Sequence, residues 1–312
     1  MANQTFVGID VGKSNLDVNL HGNQAVKRFS NSPTGIQKLE YFLREQIEPL
    51  VVMEASGGYE SLVAKTLRQA GFPVCVVNPT LVRRFAQGMG TMAKTDAIDA
   101  RIIARYASIK QPKPQAARGE DEERLVALMD RREQLNEMVV MEKNRLSTAP
   151  ILIRESIQLH IEMLKQQIKQ IDQVVDELIA ANQDWQNKIK ILTSFKGVGT
   201  VVAVTLLAEL PELGQESRER IGALAGLAPI NQDSGTRSRK RKTLGGRAKI
   251  RRVLFMVALG GIRYNPVIKE YYERLLNRGK EKKVALVACM HKILTILNAL
   301  LRKEQLWLPD YA

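Results

Sequence analysis

The chain runs to 312 residues and is 45% hydrophobic, enough for two domains, or one large one, with a sizeable core. Its 47 Lys and Arg against 33 Asp and Glu leave a net charge of +14. That balance favours nucleic acid or an anionic surface as partner and argues against a small metabolite. Aromatic residues make up only 5% of the chain, too few for a broad base-stacking platform. No stretch approaches the roughly 20 apolar residues that span a bilayer. The segment Met1-Ala-Asn-Gln-Thr5 has neither the basic nor the apolar region of a signal peptide. The expectation is a cytoplasmic protein with no membrane partner. Cys75 and Cys289 each lie in an apolar run and read as small buried hydrophobes of a reducing compartment. His21, His160 and His291 are isolated, no zinc-site spacing occurs, and there is no Walker-type phosphate loop.

The first hundred residues alternate strand and helix signals. Thr5–Asp10, Asn15–Leu20 and Ala25–Ser30 are short runs separated by Gly12-Lys13 and Gly22-Asn23, which predicts a three-stranded meander. Ser32-Pro33 opens a helix to about Gln46, with Pro33 at its first position. Leu50–Glu54 is an apolar strand, Tyr59–Ala70 a helix stopped by Gly71, and Pro73–Val77 another strand. Pro79–Gln87 and Thr95–Ala107 are helical. The order βββαβαβα, with helices at the end, is the ribonuclease-H-like order, a mixed sheet with helices on its faces.

Residues 108–120 hold two prolines and no periodicity, which predicts a linker. Two long amphipathic patterns follow, one through Leu125, Leu128, Arg132, Leu135, Val139 and Leu146. Pro150 interrupts, and the second runs through Ile157, Ile161, Leu164, Ile168, Ile171, Val175 and Leu178. Spacings of three and four suggest a helical hairpin or coiled coil; an ordinary helical core fits the pattern equally well. From about Ile189 the chain is helical with glycine punctuation. Phe195-Lys-Gly-Val-Gly199 before Val201–Leu210 resembles a helix–hairpin–helix, whose glycine amides can approach a phosphate, though a plain helix cap gives the same string. The fold class expected is α/β plus α. It comprises a ribonuclease-H-like (RuvC-like) domain at 1–110, coiled-coil helices at 120–188 and a mainly helical domain at 189–312.

Four acids carry the chemistry. Asp10 and Glu54 end the first and fourth strand signals, and Asp96 and Asp99 sit three apart at the start of a helix, on one face. Carboxylates so placed suit a hard divalent cation with oxygen ligands, Mg²⁺ or Mn²⁺, at a phosphoryl centre. A strand-end charge and a solvated helix start are the ordinary alternatives. Lys13, Lys94 and Arg101 flank the four and could touch phosphate. The second strong feature is Asp233 to Arg252: nine of the sixteen residues 237–252 are Lys or Arg, and no acid lies between Asp233 and Glu270. Arg237, Arg239, Lys240, Arg241, Lys242, Arg247, Lys249 and Arg251 are the candidate nucleic-acid contacts. Gly245-Gly246 leads into an apolar helix, Val253–Leu259, so the run belongs to a folded entry. Ser234 stands at its edge before Gly235. By chemistry alone it reads as a turn residue, since a serine needs a base or metal to become a nucleophile and no histidine is near in sequence.

Several strings together resemble one family: Gly8-Ile-Asp-Val-Gly-Lys13, Met53-Glu-Ala-Ser-Gly-Gly-Tyr59, Lys94-Thr-Asp-Ala-Ile-Asp-Ala100, Leu224-Ala-Gly-Leu-Ala-Pro229, Asp233-Ser-Gly235, Gly245-Gly-Arg247 and Asn265-Pro266. In this order, over almost the whole chain, they look like the DEDD transposases of the insertion-sequence one-ten family, relatives of pilin-gene invertases. The resemblance implies a RuvC-like domain whose four acids, here Asp10, Glu54, Asp96 and Asp99, bind divalent metal. It also implies a coiled-coil insert and a transposase domain whose serine nucleophile matches Ser234. Ser238 is a rival in the same segment but lacks the Asp-Ser-Gly setting. Partners implied are donor and target DNA, a structured noncoding bridge RNA, and further copies of the chain as a dimer or tetramer, with acids and serine coming from different protomers. The Thr-Leu-Gly-Gly entry departs in detail from some relatives.

The expected function is therefore an RNA-guided recombinase that cuts and rejoins DNA through a covalent phosphoserine. A RuvC-like nuclease using water in place of serine is the runner-up. An actin-like kinase shares Gly8-Ile-Asp-Val-Gly12 but would need a second phosphate loop, for which no string is recognisable. A non-enzymatic nucleic-acid binder built around the coiled coil is the remaining class.

Overall fold

The computed structural model describes residues 4–90, 96–114, 118–230, 242–243 and 245–308, with backbone alone at 96–97, 230 and 242. The chain divides into two compact units, residues 1–118 and 119–312.

The first unit is built on a five-stranded mixed sheet in the order β3-β2-β1-β4-β5. β1 (Phe6–Val11), β2 (Asn15–Leu20) and β3 (Val26–Ser30) form an antiparallel meander, while β4 (Leu50–Glu54) and β5 (Val74–Val77) extend β1 in parallel. Parallel neighbours need crossovers, and α1 (Pro33–Arg44) and α2 (Glu60–Gln69) supply them. Ser32 caps α1 by accepting from the Gly35 amide, with Pro33 in the first turn.

Strand alternation decides which side chains meet which helices. Val7, Ile9 and Val11 of β1 and Val51 and Met53 of β4 are buried with Ile36, Leu39, Leu43, Val63 and Leu67 of α1 and α2. The intervening residues face the other layer, where Leu50, Val52 and Cys75 pack with Val82 of α3 (Pro79–Gly88) and Ile103, Tyr106 and Ala107 of α4 (Asp96–Lys110). Burial pushes the Cys75 thiol up to about 11, as it does Cys289, so both remain protonated core residues. Helix α4 runs past the expected boundary at 107. Nothing in Ser108-Ile-Lys110 breaks a helix, and the stop comes only before Pro112. Helix α4 thus takes Ser108, Ile109 and Lys110 from the 108–120 stretch read as a linker from composition.

The second unit begins with α5 (Glu120–Thr148) and α6 (Ile151–Ala180), which Ala149-Pro150 joins into a hairpin. Leu135, Val139, Ile161 and Leu164 fill its distal seam, and Arg132 forks onto Asp172 at 2.6 and 3.3 Å. Near its base, Leu125, Met129, Val175 and Leu178 pack with Trp185 and Val204. The remainder is α7 (Gln183–Ser194), α8 (Thr200–Glu209), α9 (Arg218–Leu224), α10 (Ala248–Tyr264), α11 (Pro266–Asn277) and α12 (Lys282–Lys303), around one core.

By length and composition α12 could cross a bilayer, which corrects the expectation that no stretch comes close. Its apolar side is core instead: Ala285, Cys289, Met290, Ile293, Leu294 and Leu297 are buried against α7, α9, α10 and α11. Each fully buried Leu or Ile contributes about 1.5–3 kcal/mol, which holds such a helix inside.

Candidate active site

Asp10 and Glu54 lie level with each other on neighbouring strands. Ile9 pairs with Met53 in the parallel register, so the next residues, Asp10 and Glu54, are side by side and project to the α4 face. On the other flank of Asp10 the antiparallel register places Asp17 directly opposite, and Asp17 in turn faces Arg28. One row across four strands therefore reads Arg28, Asp17, Asp10, Glu54. Asp17 is 6% exposed, and the Arg28 fork holds both its oxygens, at 2.8 and 2.9 Å. Sequence reading misses Asp17 and Arg28. The available signal is the alternation Leu16-Asp17-Val18 across a short turn from Asp10, which puts a second acid on the same face.

Helix α4 closes over this row because β1 carries a glycine. A Cβ on Gly8 would land inside the α4 backbone at Ala100 and Ala104. Without it, strand and helix touch, and Asp99 reaches the cleft at the Asp10 end. Asp10, Lys13, Asn15, Asp17, Glu54 and Asp99 line a cleft of about 420 Å³. Asp96 lies one turn before Asp99 on α4, with its side chain outside the description. Lys94 lies outside the described residues altogether. Arg101 does not turn to the cleft: it donates to the Gln24 carbonyl at 2.5 Å.

The donor set is all oxygen, from two strands and a helix, which fits a hard divalent cation rather than zinc or a soft metal. Among the described residues no three acidic, histidine or cysteine side chains already converge on one ion position.

The basic segment divides in two. Ser234, Ser238, Arg237, Arg239, Lys240 and Arg241 lie outside the described residues. The chain enters that segment from β6 (Pro229–Ile230) and leaves it on β7 (Lys242–Thr243), which pair antiparallel, Ile230 opposite Lys242. Lys242 is described by its backbone alone, and Arg247, Lys249 and Arg251 have partners within the protein. Arg247 forks onto Glu212 with two 2.6 Å contacts and donates to the Glu209 carbonyl at 2.9 Å. Lys249 binds Asp130 and, at 3.0 Å, Glu209. Burial works against its charged amine, but the Asp130 and Glu209 carboxylates more than offset that and hold it above the ordinary lysine range. Arg251 donates to the carbonyls of Ala225, at 3.3 Å, and Gly245. These three hold the entry of α10 against α5, α8 and the 224–228 turn. Two of the sequence strings meet there: Gly226 and Gly246, both at positive φ, stack backbone on backbone, and a Cβ on either would collide with the other's chain. The Arg247 amide donates to the Leu224 carbonyl at 3.0 Å across the same contact.

At the predicted helix–hairpin–helix, α7 and α8 flank a turn in which Gly197 has φ 111°. Buried Asn265 ties that turn to α11, donating to the Lys196 carbonyl at 3.2 Å.

Hard oxygen donors at a strand-end cleft, in a chain of net charge +14, are the makings of a protein that works on polynucleotide phosphates. Comparison with known proteins makes this specific. Residues 7–149 match the family model of the DEDD IS110 transposase, and residues 189–273 match that of the transposase IS116/IS110/IS902 family. A "Pilin gene-inverting protein" of Moraxella bovis is 26% identical over 97% of both chains, and its counterpart in Moraxella lacunata is equally similar. An uncharacterized 43.6 kDa protein of the insertion element IS110 in Streptomyces coelicolor is 31% identical over 36% of this chain and 28% of its own. The chain belongs to the IS110 family of transposases, whose business is DNA recombination.

Gly8→Ala forces α4 away from β1 and carries Asp99 with it. A displacement of about 1 Å at a catalytic group costs on the order of 10²-fold in rate. The expected result is a protein of parental helix content, by circular dichroism, that cleaves labelled donor DNA about 10²-fold more slowly. Parental cleavage rates in Gly8→Ala would contradict the close packing of α4 on β1 as the source of the site's geometry.

Proposed function

We propose that this protein is an RNA-guided, site-specific DNA recombinase of a mobile element, acting on DNA in the bacterial cytoplasm, at the nucleoid. The single observation that carries the reading is the carboxylate row of Asp10 and Glu54 in one cleft with Asp99, within a chain that two transposase models match. The first unit is taken as a ribonuclease-H-like (RuvC-like) domain, on the strength of its meander followed by two parallel crossovers. The hairpin of α5 and α6 is taken as the coiled-coil insert, and residues 189–312 as the transposase domain.

Asp10, Glu54, Asp96 and Asp99 are the residues that would hold Mg²⁺ or Mn²⁺, which when bound supplies Lewis acidity at the scissile phosphate. Ser234 is the nucleophile. Its oxygen forms a bond to phosphorus as the bond from phosphorus to the departing deoxyribose oxygen breaks. The serine proton is lost, and the departing oxygen gains one to become a free hydroxyl. The phosphodiester energy is kept in the serine–DNA bond, ready for rejoining to a second strand. Lys13, Lys94 and the cations of 237–242 are the residues assigned to nucleic-acid backbone. Arg247, Lys249 and Arg251 shape the entry to that segment, as their internal partners indicate.

Sequence choice is assigned to base pairing with a structured bridge RNA, which suits a basic chain with few aromatics. Self-association as a dimer or tetramer would bring acids and serine together from separate protomers. Guidance is tested by expressing the protein with the DNA that flanks its own gene. RNA is expected to co-purify, and recombination of a defined donor–target pair should stop after ribonuclease treatment. Full activity from an RNA-free preparation would contradict guidance.

A further inference from the structure

Three carboxylates stand side by side on adjacent strands of the first unit, about 4.8 Å apart strand to strand, with Arg28 next in the row beyond Asp17. Like charges directly opposite each other in a sheet are unfavourable, so the arrangement needs a reason. Asp17 is the acid at the β2 end of the row, between Asp10 and Arg28. It is 6% exposed and lies on the face that α4 covers. Its two oxygens each accept one bond from Arg28, at 2.8 and 2.9 Å. A carboxylate offers about four lone-pair sites, so the fork leaves one on each oxygen. A staple meant only to join β2 to β3 could sit on the open face of the edge strand. This one draws its acid into the lining of the cleft that also holds Asp10, Glu54 and Asp99.

We propose that Asp17, locked by Arg28, is a positioning residue for Asp10. Its fixed charge repels the Asp10 carboxylate away from β2, toward Glu54 and the Asp99 end of α4, and raises the negative potential of the cleft for a divalent cation. The Arg28 fork fixes both oxygens of Asp17 and stops it from swinging into the ion position itself. The idea rests on the reading of the cleft as a divalent-cation site. It adds a fifth acid that serves the site by orienting Asp10. Supporting groups of this kind, when removed, weaken metal binding by about 10–100-fold.

The test is Mn²⁺ binding to the full-length protein, followed by electron paramagnetic resonance of the free ion. The parent protein should bind Mn²⁺, and Asp10→Asn should abolish that binding; if the parent binds none, or Asp10→Asn changes nothing, the cation reading fails and this inference with it. Asp17→Asn keeps the shape and one hydrogen bond to Arg28. It should weaken Mn²⁺ binding about 10–100-fold in a protein whose melting temperature stays near the parental value. Parental Mn²⁺ affinity in folded Asp17→Asn overturns the proposal while leaving the cation reading intact. Should Asp17→Asn fail to fold, Arg28→Lys carries the test, since it keeps the charge but gives up the fork. Mn²⁺ affinity is then expected to fall several-fold, and an unchanged affinity overturns the positioning role.

Discussion

Replacing Asp10 by Asn is expected to lower DNA strand cleavage by about 10³-fold or more while leaving the fold intact. Asp10 is the middle acid of the row, with Asp17 opposite on β2 and Glu54 beside it on β4. Asparagine fills the same space, so the sheet register and the packing of α4 survive. On the proposed reading, what would be lost is one anionic oxygen ligand of the divalent cation. Charge stabilisation at a phosphoryl centre is worth several kcal/mol, and each 1.36 kcal/mol is tenfold in rate. Single-turnover cleavage of labelled donor DNA at saturating Mg²⁺ measures the effect. A loss of less than tenfold would mean that the acids serve another purpose and that the chemistry lies elsewhere in the chain.

Ser234→Ala separates the two mechanisms that the acidic cleft permits. If serine is the nucleophile, the variant has no oxygen with which to form the bond to phosphorus, so both cleavage and rejoining should vanish from the assay. Cation binding should persist, because the acids lie on the other unit of the chain. If the cleft activates water, as in a nuclease, Ser234→Ala keeps cutting at close to the parental rate and releases ends that no protein holds. Denaturing gels of donor DNA after reaction distinguish the cases. The parent should show a protein-linked band and the variant none. Continued recombination by Ser234→Ala would remove serine from the mechanism altogether. Ser238→Ala serves as the control within the same segment, and parental activity is expected from it.

The parts of the fold that can be read in the sequence are those with local causes. Ser32-Pro33 starts α1 through a side-chain cap and a fixed φ. Gly71 ends the second helix at positive φ. Asp10 and Glu54 stand out because each closes an apolar run, and strand ends are where such sheets gather ligands. The parts that cannot be read depend on register and on distant partners. Asp17 belongs to the site only because β2 pairs with β1 in the one register that sets it opposite Asp10. A slip by one residue would turn it to the other face. The charge run at 247–251 looks solvent-facing for a similar reason. The acids that occupy it, Glu212 and Asp130, come from 35 and 119 positions away, and no local pattern announces them. Helix α12 passes for a span by length and composition although the sequence reading found none, since a central core helix and a membrane span share a composition and burial separates them.

The most direct measurement is the identity of the residue joined to DNA. A donor duplex nicked so that the cleaved fragment diffuses away would trap any covalent intermediate, and mass spectrometry of the digested adduct would locate the link. A phosphodiester on Ser234 is expected, formed by the parent protein and lost in Asp10→Asn. A link at Ser238 or at any other residue, or cleavage to completion with no protein–DNA link, would contradict it.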